Sequence, residues 1–309
     1  MRLVRRISNF EWGALRPAVA IGNFDGMHLG HQALLSALYE TAAAKKVPSL
    51  LLTFEPLPHE FFQRDIYRIM PLRDKVRYFK NSPLNFLCCL PFEQALATLS
   101  ADAFISEVLL KRLNVSAVIV GEDFRFGAAR QGDVSCLQQA AQKYDFQLQV
   151  LKAVQYQGEK IGSSRLRELL QQGKFQQYHD LCGRSFQIAG KVAAGFKMGR
   201  QLGFPTANLT IKHPLDYPLS GVYAARVQMA QDPTWHWAAM NVGTRPTLHG
   251  VTRLIEVHLL DLQADLYHQS LVVEPLCKIR DEQRFPDLTA LKKQIHSYIL
   301  TIRSKLVKI

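Results

Sequence analysis

Short apolar runs recur through the first half of the chain, with helical stretches between them. "AVAIG" (18–22), "SLLLTF" (49–54), "NFLCCL" (85–90), "SAVIVG" (116–121) and "FQLQVL" (146–151) read as strands. Several are apolar nearly throughout, as expected for strands covered on both faces. In "SADAFISEVLLKRL" (100–113) the apolar positions 104, 105, 108 and 109 form one helical stripe, and Ser100 can cap it. Alternating strands and helices predict an open parallel α/β sheet of Rossmann type with helices on both faces.

The second half follows another rhythm. Strand-like runs at 186–194, 221–230, 235–242, 252–260 and 271–279 come without long helices between them. Glycine and proline clusters separate them, which predicts an antiparallel sheet or small barrel. The chain then reads "DLTALKKQIHSYILTIRSKL" (287–306), with Asp287 as cap and apolar positions 288, 291, 295, 299 and 300. That stripe predicts a helix packed on the barrel. Two domains follow, 1–180 and 181–309.

Composition narrows the class. The 309 residues are 48% hydrophobic and 21% charged, ordinary for filled cores. The net charge of +12 is spread over both halves: residues 183–309 hold 16 Lys+Arg against 9 Asp+Glu, and the rest 22 against 17. That suits anionic substrates as well as nucleic acid and chooses neither. The five cysteines are odd in number and lack a CxxC pair, which argues against a disulfide framework or zinc knuckle. Cys88 and Cys89, inside an apolar run, read as small buried hydrophobes. The basic start "MRLVRRISNFEW" lacks an apolar h-region, and no run is long enough for a bilayer span. The expectation is a cytoplasmic protein.

Two segments of the first half carry candidate chemistry. "GNFDGMHLGHQ" (22–32) is a glycine turn between a strand and a helix start. Free backbone N–H groups at a helix start attract phosphate. Gly22, Gly26 and Gly30 permit close approach, and His28 and His31 can donate hydrogen bonds. An ordinary helix start with two incidental imidazoles remains open; a zinc site would need further ligands. "GSSRLRELLQQG" (162–173) places Ser163, Ser164, Arg165 and Arg167 at a second helix start, suited to phosphate or to a plain serine cap.

Together with "TFEPLPHEFF" (53–62) and "VGEDFRFGAARQGD" (120–133), these segments resemble the HxGH nucleotidyltransferases, and within them the bacterial FMN adenylyltransferases. The resemblance implies adenylyl transfer from ATP to FMN, giving FAD and pyrophosphate. It implies that His28 and His31 stabilise the transition state and that Ser163, Ser164 and Arg167 hold the β and γ phosphates. Gly22, Asn23, Phe24 and Gly30 would line the nucleotide, and Asp123, Phe124 and Phe126 the flavin. The family often has a serine where this chain has Gly162.

In the second half, "GKVAAGFKMGRQLGFPTANL" (190–209) is glycine-rich and basic but fails as a Walker A motif, because Phe-Lys follows the second glycine. Thr206 and Asn208 offer neutral oxygens on one face of an extended segment, fitted to Mg²⁺ with ATP phosphates. Glu256, an acid in the apolar run "RLIEVHLLDL", fits a general base or a surface acid equally. With "GVYAA", "NVGTRPT", "IEVHLLD" and "PLCKIRDEQRFPDLTALKKQI", this half is similar to the riboflavin kinase domain. That implies phosphoryl transfer from ATP to riboflavin, with Thr206 and Asn208 on Mg²⁺ and Glu256 as base. A loop from Gly190 to Gly203, including Lys191 and Gly195, would wrap the nucleotide, and Arg280 would lie near the flavin. Departures are Ala194 for His, His268 for Gly and Pro275 for an aromatic.

The order of the two halves is that of the bacterial bifunctional FAD synthetase family. It implies ATP, riboflavin, FMN and FAD as substrates or products, Mg²⁺ as cofactor, and no nucleic-acid or membrane partner, with transient self-association left open. A class I tRNA synthetase-like protein shares HxGH but should carry a helical anticodon-binding region. A non-catalytic flavin-binding module should lack the catalytic residues that stand here.

Overall fold

The computed structural model describes the chain other than residues 6, 8–14, 63–66, 194–202, 211–216, 248–249, 261, 263–265, 284 and 307–309. Two compact units result: Met1–Ile66 with Met70–Ser163, and Tyr67–Ile69 with Ser164–Ile309.

In the first unit the elements run β1 (Arg2–Val4), β2 (Ala18–Ile21), α1 (Leu29–Lys45), β3 (Ser49–Glu55), α2 (Pro58–Phe61) and α3 (Leu72–Phe79). They continue with β4 (Phe86–Pro91), α4 (Gln94–Ala97), α5 (Ala101–Ala103), a π-helix (Phe104–Arg112), β5 (Ala117–Gly121), α6 (Val134–Lys143) and β6 (Gln147–Leu151). A small hairpin of β7 (Gln155–Tyr156) and β8 (Glu159–Lys160) follows. The sheet is parallel throughout, in the order β1-β4-β3-β2-β5-β6.

The lack of polar alternation now has its cause. Ala18 and Ala20 of β2 face Leu35 and Leu38 of α1 in one core cluster. Val19 and Ile21 face the other way, with Phe104, Val108 and Leu137. Both sheet faces are therefore dry, and each fully buried Leu or Ile contributes roughly 2 kcal/mol. Cys88 sits in the second cluster, and burial pushes its thiol up to about 12. The helix expected over 100–113 starts where Ser100 accepts from the Ala103 N–H at 3.1 Å, and its stripe is buried. Most of it, however, takes the wider π pitch, which the periodicity did not indicate.

The second unit holds α7 (Ser163–Gln171) from Ser164 onward, α8 (Phe175–Cys182) and a closed six-stranded barrel. Its strands are β9 (Ile188–Ala193), β10 (Ala207–Thr210), β11 (Gly221–Met229), β12 (Asp232–Thr247), β13 (Gly250–Leu259) and β14 (Ser270–Arg280). Their order is β10-β13-β12-β11-β14-β9, with every pairing antiparallel. The chain continues into α9 (Leu288–Leu306), capped by Asp287, which accepts from the Ala290 N–H at 2.7 Å. The expected stripe of α9 needs correction. Leu288 and Leu300 are 58% and 54% exposed, whereas Ile295, Ile299 and Ile302 are buried. Ile302 packs with Ala224 and Ala239 on the outside of the barrel, joined by Tyr298, Cys277 and Ile279. Those alanines leave room for a helix on that face.

Two of the departures have visible consequences. Pro275 stands where the β11–β14 register shifts between Ala224 and Ala225, a bulge that tolerates a residue without an N–H. His268 has φ of +64°, a left-handed turn that glycine would adopt without strain.

Candidate functional sites

The strand order reverses direction at β2: β3 and β4 lie to one side, β5 and β6 to the other. In open parallel sheets, ligands bind beyond the carboxyl ends of the strands at such a switch point. The turn after β2 ends at His28, with His31 in the first turn of α1, and the turn after β5 carries Asp123 and Phe124.

The turn after β2 is strained. Phe24, Gly26 and Met27 all have left-handed backbones, with φ of +48°, +100° and +54°. For Phe and Met this costs on the order of 1 kcal/mol each. Anchors on every side hold it. Phe24 and Met27 are fully buried in the core beside α1. The buried Asp25 carboxylate accepts from the Met70 N–H at 2.8 Å, and its carbonyl from the Ser163 hydroxyl at 2.7 Å. Gln32 donates to the Met27 carbonyl at 2.9 Å. Asn23 is exposed, but its carbonyl accepts from the Lys75 ammonium at 2.7 Å and the Thr53 hydroxyl at 3.2 Å.

His28 is the cap of α1: its Nδ1 accepts from the His31 N–H at 3.3 Å. The two imidazoles stack, with centroids 3.7 Å apart and planes at 19°, and Phe24 backs His31 at 5.0 Å. Gly30 leaves the His28 ring its place, because a Cβ there would stand 3.1 Å from that ring and push it by a few tenths of an ångström. Burial drives the His28 pKa down to about 4, against a smaller upward pull from Asp123. Burial also lowers His31, helped by His28 and by the Lys75 charge. Both rings are therefore neutral at pH 7, and each has an N–H to donate.

A pH prediction follows from His28, which is 7% exposed. Its unfolded-state pKa of about 6.5 exceeds the folded one, so the unfolded chain binds more protons between the two values. Its contribution to stability is present above pH 6.5 and lost as pH falls toward 4, up to about 3 kcal/mol. Urea unfolding from pH 7 to 4, followed by probes in the first unit, should show this loss. His28→Gln should make the acid limb shallower, and an unchanged limb would contradict the assignment.

Asp123 is paired with Lys160 at 2.8 Å, a contact that holds its carboxyl below the usual range. Phe124 stacks on Phe126 at 5.5 Å, and Phe126 packs on Phe104 within the core. Phe126 thus backs Phe124 as part of the core wall. Gly22 is crowded by the Phe24 ring, whereas a Cβ at Gly162 would meet nothing within 4 Å. Space for a serine exists there. Ser164 and Arg167 belong to the second unit, where the Arg167 Nε donates to the Tyr67 carbonyl.

On the barrel, register brings three predicted and unpredicted groups into one row. Glu256 of β13 lies opposite Asn208 of β10 on one side and Asn241 of β12 on the other. Cross-strand partners share a face. Their neighbours Ala207, Leu209, Ile255, Val257 and Val242 are buried on the opposite face. The row therefore lies on the face that α9 covers through Ala239, two residues from Asn241. The Asn241 amide donates to the Glu256 carboxylate at 3.3 Å. Burial pushes Tyr298 of α9 up to about 12, Arg280 pulls the other way, and the Glu256 charge adds to the rise. Glu274 is the more deeply buried barrel acid, but Arg226 at 2.8 Å and Gln187 at 3.2 Å occupy it. Glu256 has no cation against it among the described residues.

Thr206 is half-buried just before β10. His258 fixes the approach to it: its Nδ1 lies 2.8 Å from the Pro205 carbonyl, and its ring meets Phe204 edge-on. The Arg280 guanidinium sits over Phe285 and Tyr298 at 5.4 and 5.7 Å, with its Nε lacking a hydrogen-bond partner. The expected nucleotide loop, 190–203, begins inside a strand. Gly190 and Lys191 lie within β9, where a Cβ at the inward-facing Gly190 would stand 3.1 Å from the Leu209 Cβ. Gly203 adopts φ of +88°, while Ala194 and Gly195 lie outside the described residues.

Comparison with known proteins decides the family. The FAD synthetase family matches residues 14–165 and the riboflavin kinase family residues 182–306. The bifunctional riboflavin kinase/FMN adenylyltransferase of Escherichia coli K12 is 40% identical over 306 residues, 98% of this chain and 97% of the relative. This chain belongs to the bifunctional riboflavin kinase/FMN adenylyltransferases. The Haemophilus influenzae and Pseudomonas fluorescens members are 36% and 39% identical, over 98% of this chain and 99% and 97% of theirs. A solved structure described as a macrolide-efflux protein from Streptococcus pneumoniae has the same fold, with a TM-score of 0.80 at 26% identity, covering 98% of both chains. No helix among the described residues is long and apolar enough to cross a membrane. As in its family, the N-terminal half transfers an adenylyl group from ATP to FMN, and the C-terminal half phosphorylates riboflavin.

Asp25, Thr53, Lys75, Asn241, His258 and Tyr298 were not singled out in the sequence. All but Lys75 stand inside runs quoted above, but each acts through a partner distant in the chain, so its local run does not show its role.

Proposed function

We propose that the two reactions use separate residue sets, divided as 1–180 and 181–309. The observation that carries the kinase assignment is the Asn208–Glu256–Asn241 row beside α9. Glu256, oriented by the Asn241 amide, takes the proton from the riboflavin hydroxyl as that oxygen attacks the γ-phosphorus of ATP; ADP leaves. Thr206 and Asn208 offer hard, uncharged oxygens, the donor set that suits Mg²⁺ already carrying phosphate oxygens. Bound there, Mg²⁺ supplies charge neutralisation at the transferring phosphoryl group. Arg280, held over two aromatic rings, lies on the flavin side. Lys191 and the residues up to Gly203 bind the nucleotide.

In the adenylyl transfer, an FMN phosphate oxygen attacks the α-phosphorus of ATP and pyrophosphate leaves. His28 and His31 donate N–H groups to the phosphoryl oxygens as charge builds, beside the free N–H groups at the start of α1. Gly22, Asn23, Phe24 and Gly30 shape the nucleotide turn. Ser163, Ser164 and Arg167 hold the leaving pyrophosphate, and Asp123 and Phe124, backed by Phe126, take the flavin. The partners are these small molecules, in the cytoplasm; the reading needs no nucleic acid, membrane or stable oligomer.

Asn208→Leu tests the metal assignment. Riboflavin phosphorylation should require on the order of tenfold more free Mg²⁺ for half-maximal rate, one lost ligand being worth about 1.4 kcal/mol. FMN adenylylation in the same chain should keep its Mg²⁺ dependence. An unchanged kinase requirement would remove Asn208 from the metal shell.

A further inference from the structure

We propose that Lys75 is a positioning residue of the adenylyl transfer: its ammonium ties the glycine turn to the end of β3 and sets positive charge behind His31. The inference rests on the assignment of His28 and His31 to that reaction. Lys75 belongs to α3 and is only 2% exposed. Burying an ammonium costs several kcal/mol unless its contacts recompense it. Its Nζ donates to the Asn23 carbonyl at 2.7 Å and to the Thr53 hydroxyl at 3.2 Å. Thr53 is itself fully buried and donates to the same carbonyl at 3.2 Å. Two donors from two elements thus converge on the carbonyl immediately before the left-handed Phe24, the ring that backs His31. Release of that carbonyl would free the strained turn to relax and move the imidazole.

The charge has a second consequence. Burial first, then His28 and Lys75, disfavour a protonated His31; burial also disfavours a protonated His28, and Asp123 acts on His28 in the opposite sense. Asp25, in the same turn, has its carboxylate engaged by the Met70 N–H. With Lys75 in place the resting His31 is a neutral donor, and the fixed positive charge beside the turn comes from the lysine. An incoming triphosphate, strongly anionic, meets that charge without a proton having to be taken up first.

The test uses the full chain. Lys75→Met keeps the side chain as far as its fourth atom and removes the charged Nζ. Expected are a fall in kcat for FMN adenylylation on the order of 10²-fold, unchanged riboflavin phosphorylation, and a His31 titration, followed by NMR without substrate, that moves upward. Thr53→Val keeps the charge and removes one anchor. It should lower the adenylyl-transfer kcat by a smaller factor and leave the His31 titration in place. An unchanged adenylyl-transfer rate in Lys75→Met overturns the proposal, and so does a slowed rate with an unmoved His31 titration, which marks a purely structural lysine. If Lys75→Met does not fold, Thr53→Val decides: an unchanged rate there overturns the anchoring role. His31→Ala run in parallel separates the two claims. Full FAD synthesis in His31→Ala defeats the histidine assignment, whereas its loss with a normal Lys75→Met defeats only the lysine inference.

Discussion

Glu256→Gln is expected to reduce FMN formation from riboflavin by about three orders of magnitude, the middle of the range for a general base. That corresponds to about 4 kcal/mol of transition-state stabilisation. Gln preserves the size of the side chain and its place between Asn208 and Asn241. The barrel should therefore fold, and ATP should still bind. FMN supplied directly should be converted to FAD at the wild-type rate. The competing acid, Glu274, predicts a different outcome. Its carboxylate is committed to Arg226, so Glu274→Gln should lower stability without the same loss in turnover. Initial rates with riboflavin, alongside thermal unfolding, distinguish the two acids.

The second large effect is expected from His31→Ala. The substitution removes one ring of the imidazole stack and one donor at the mouth of α1. Loss of one donor to a developing phosphoryl charge costs about 10²–10³ in rate. Riboflavin should still become FMN, which then accumulates while FAD stays at trace levels. The backbone cap survives in part, because His28 accepts from the N–H of residue 31, which alanine retains. The loss should therefore lie in catalysis rather than in helix formation. Chromatographic separation of flavins over a time course reads this directly.

The layout of these sites was legible to different degrees. The parallel sheet was plain, because strands covered on both faces leave unbroken apolar runs such as 49–54 and 116–121. β1 escaped notice: Arg2–Val4 has three residues and pairs only at the sheet edge with β4. β10 likewise read as an extended segment, because Ala207–Thr210 is four residues after a glycine-proline turn. The stripe of α9 was misplaced by including Leu288 and Leu300, since periodicity alone does not show where the barrel offers small residues to pack against. At the proposed sites, the histidines, Thr206, Asn208 and Glu256 stand in motifs that suggest their chemistry. Asn241, although it opens the run NVGTRPT, and Lys75 do not show their roles locally. Each reaches its partner only through tertiary structure: Asn241 across a strand pairing, Lys75 from a helix that lies 52 residues along the chain from Asn23. Gly190 was assigned to a loop because glycine spacing resembles a phosphate cradle; in β9 its role is to let Leu209 approach.

The central claim is that one chain carries two independent sites linked by free FMN. The most direct test mixes purified His31→Ala and Glu256→Gln proteins with riboflavin, ATP and Mg²⁺ and follows the flavins. Alone, the first should stop at FMN and the second should leave riboflavin untouched. Together they should produce FAD, since FMN released by one is substrate for the other. If the folded variants mixed in this way still made no FAD, or if either change alone stopped both reactions, the two-site account would be contradicted.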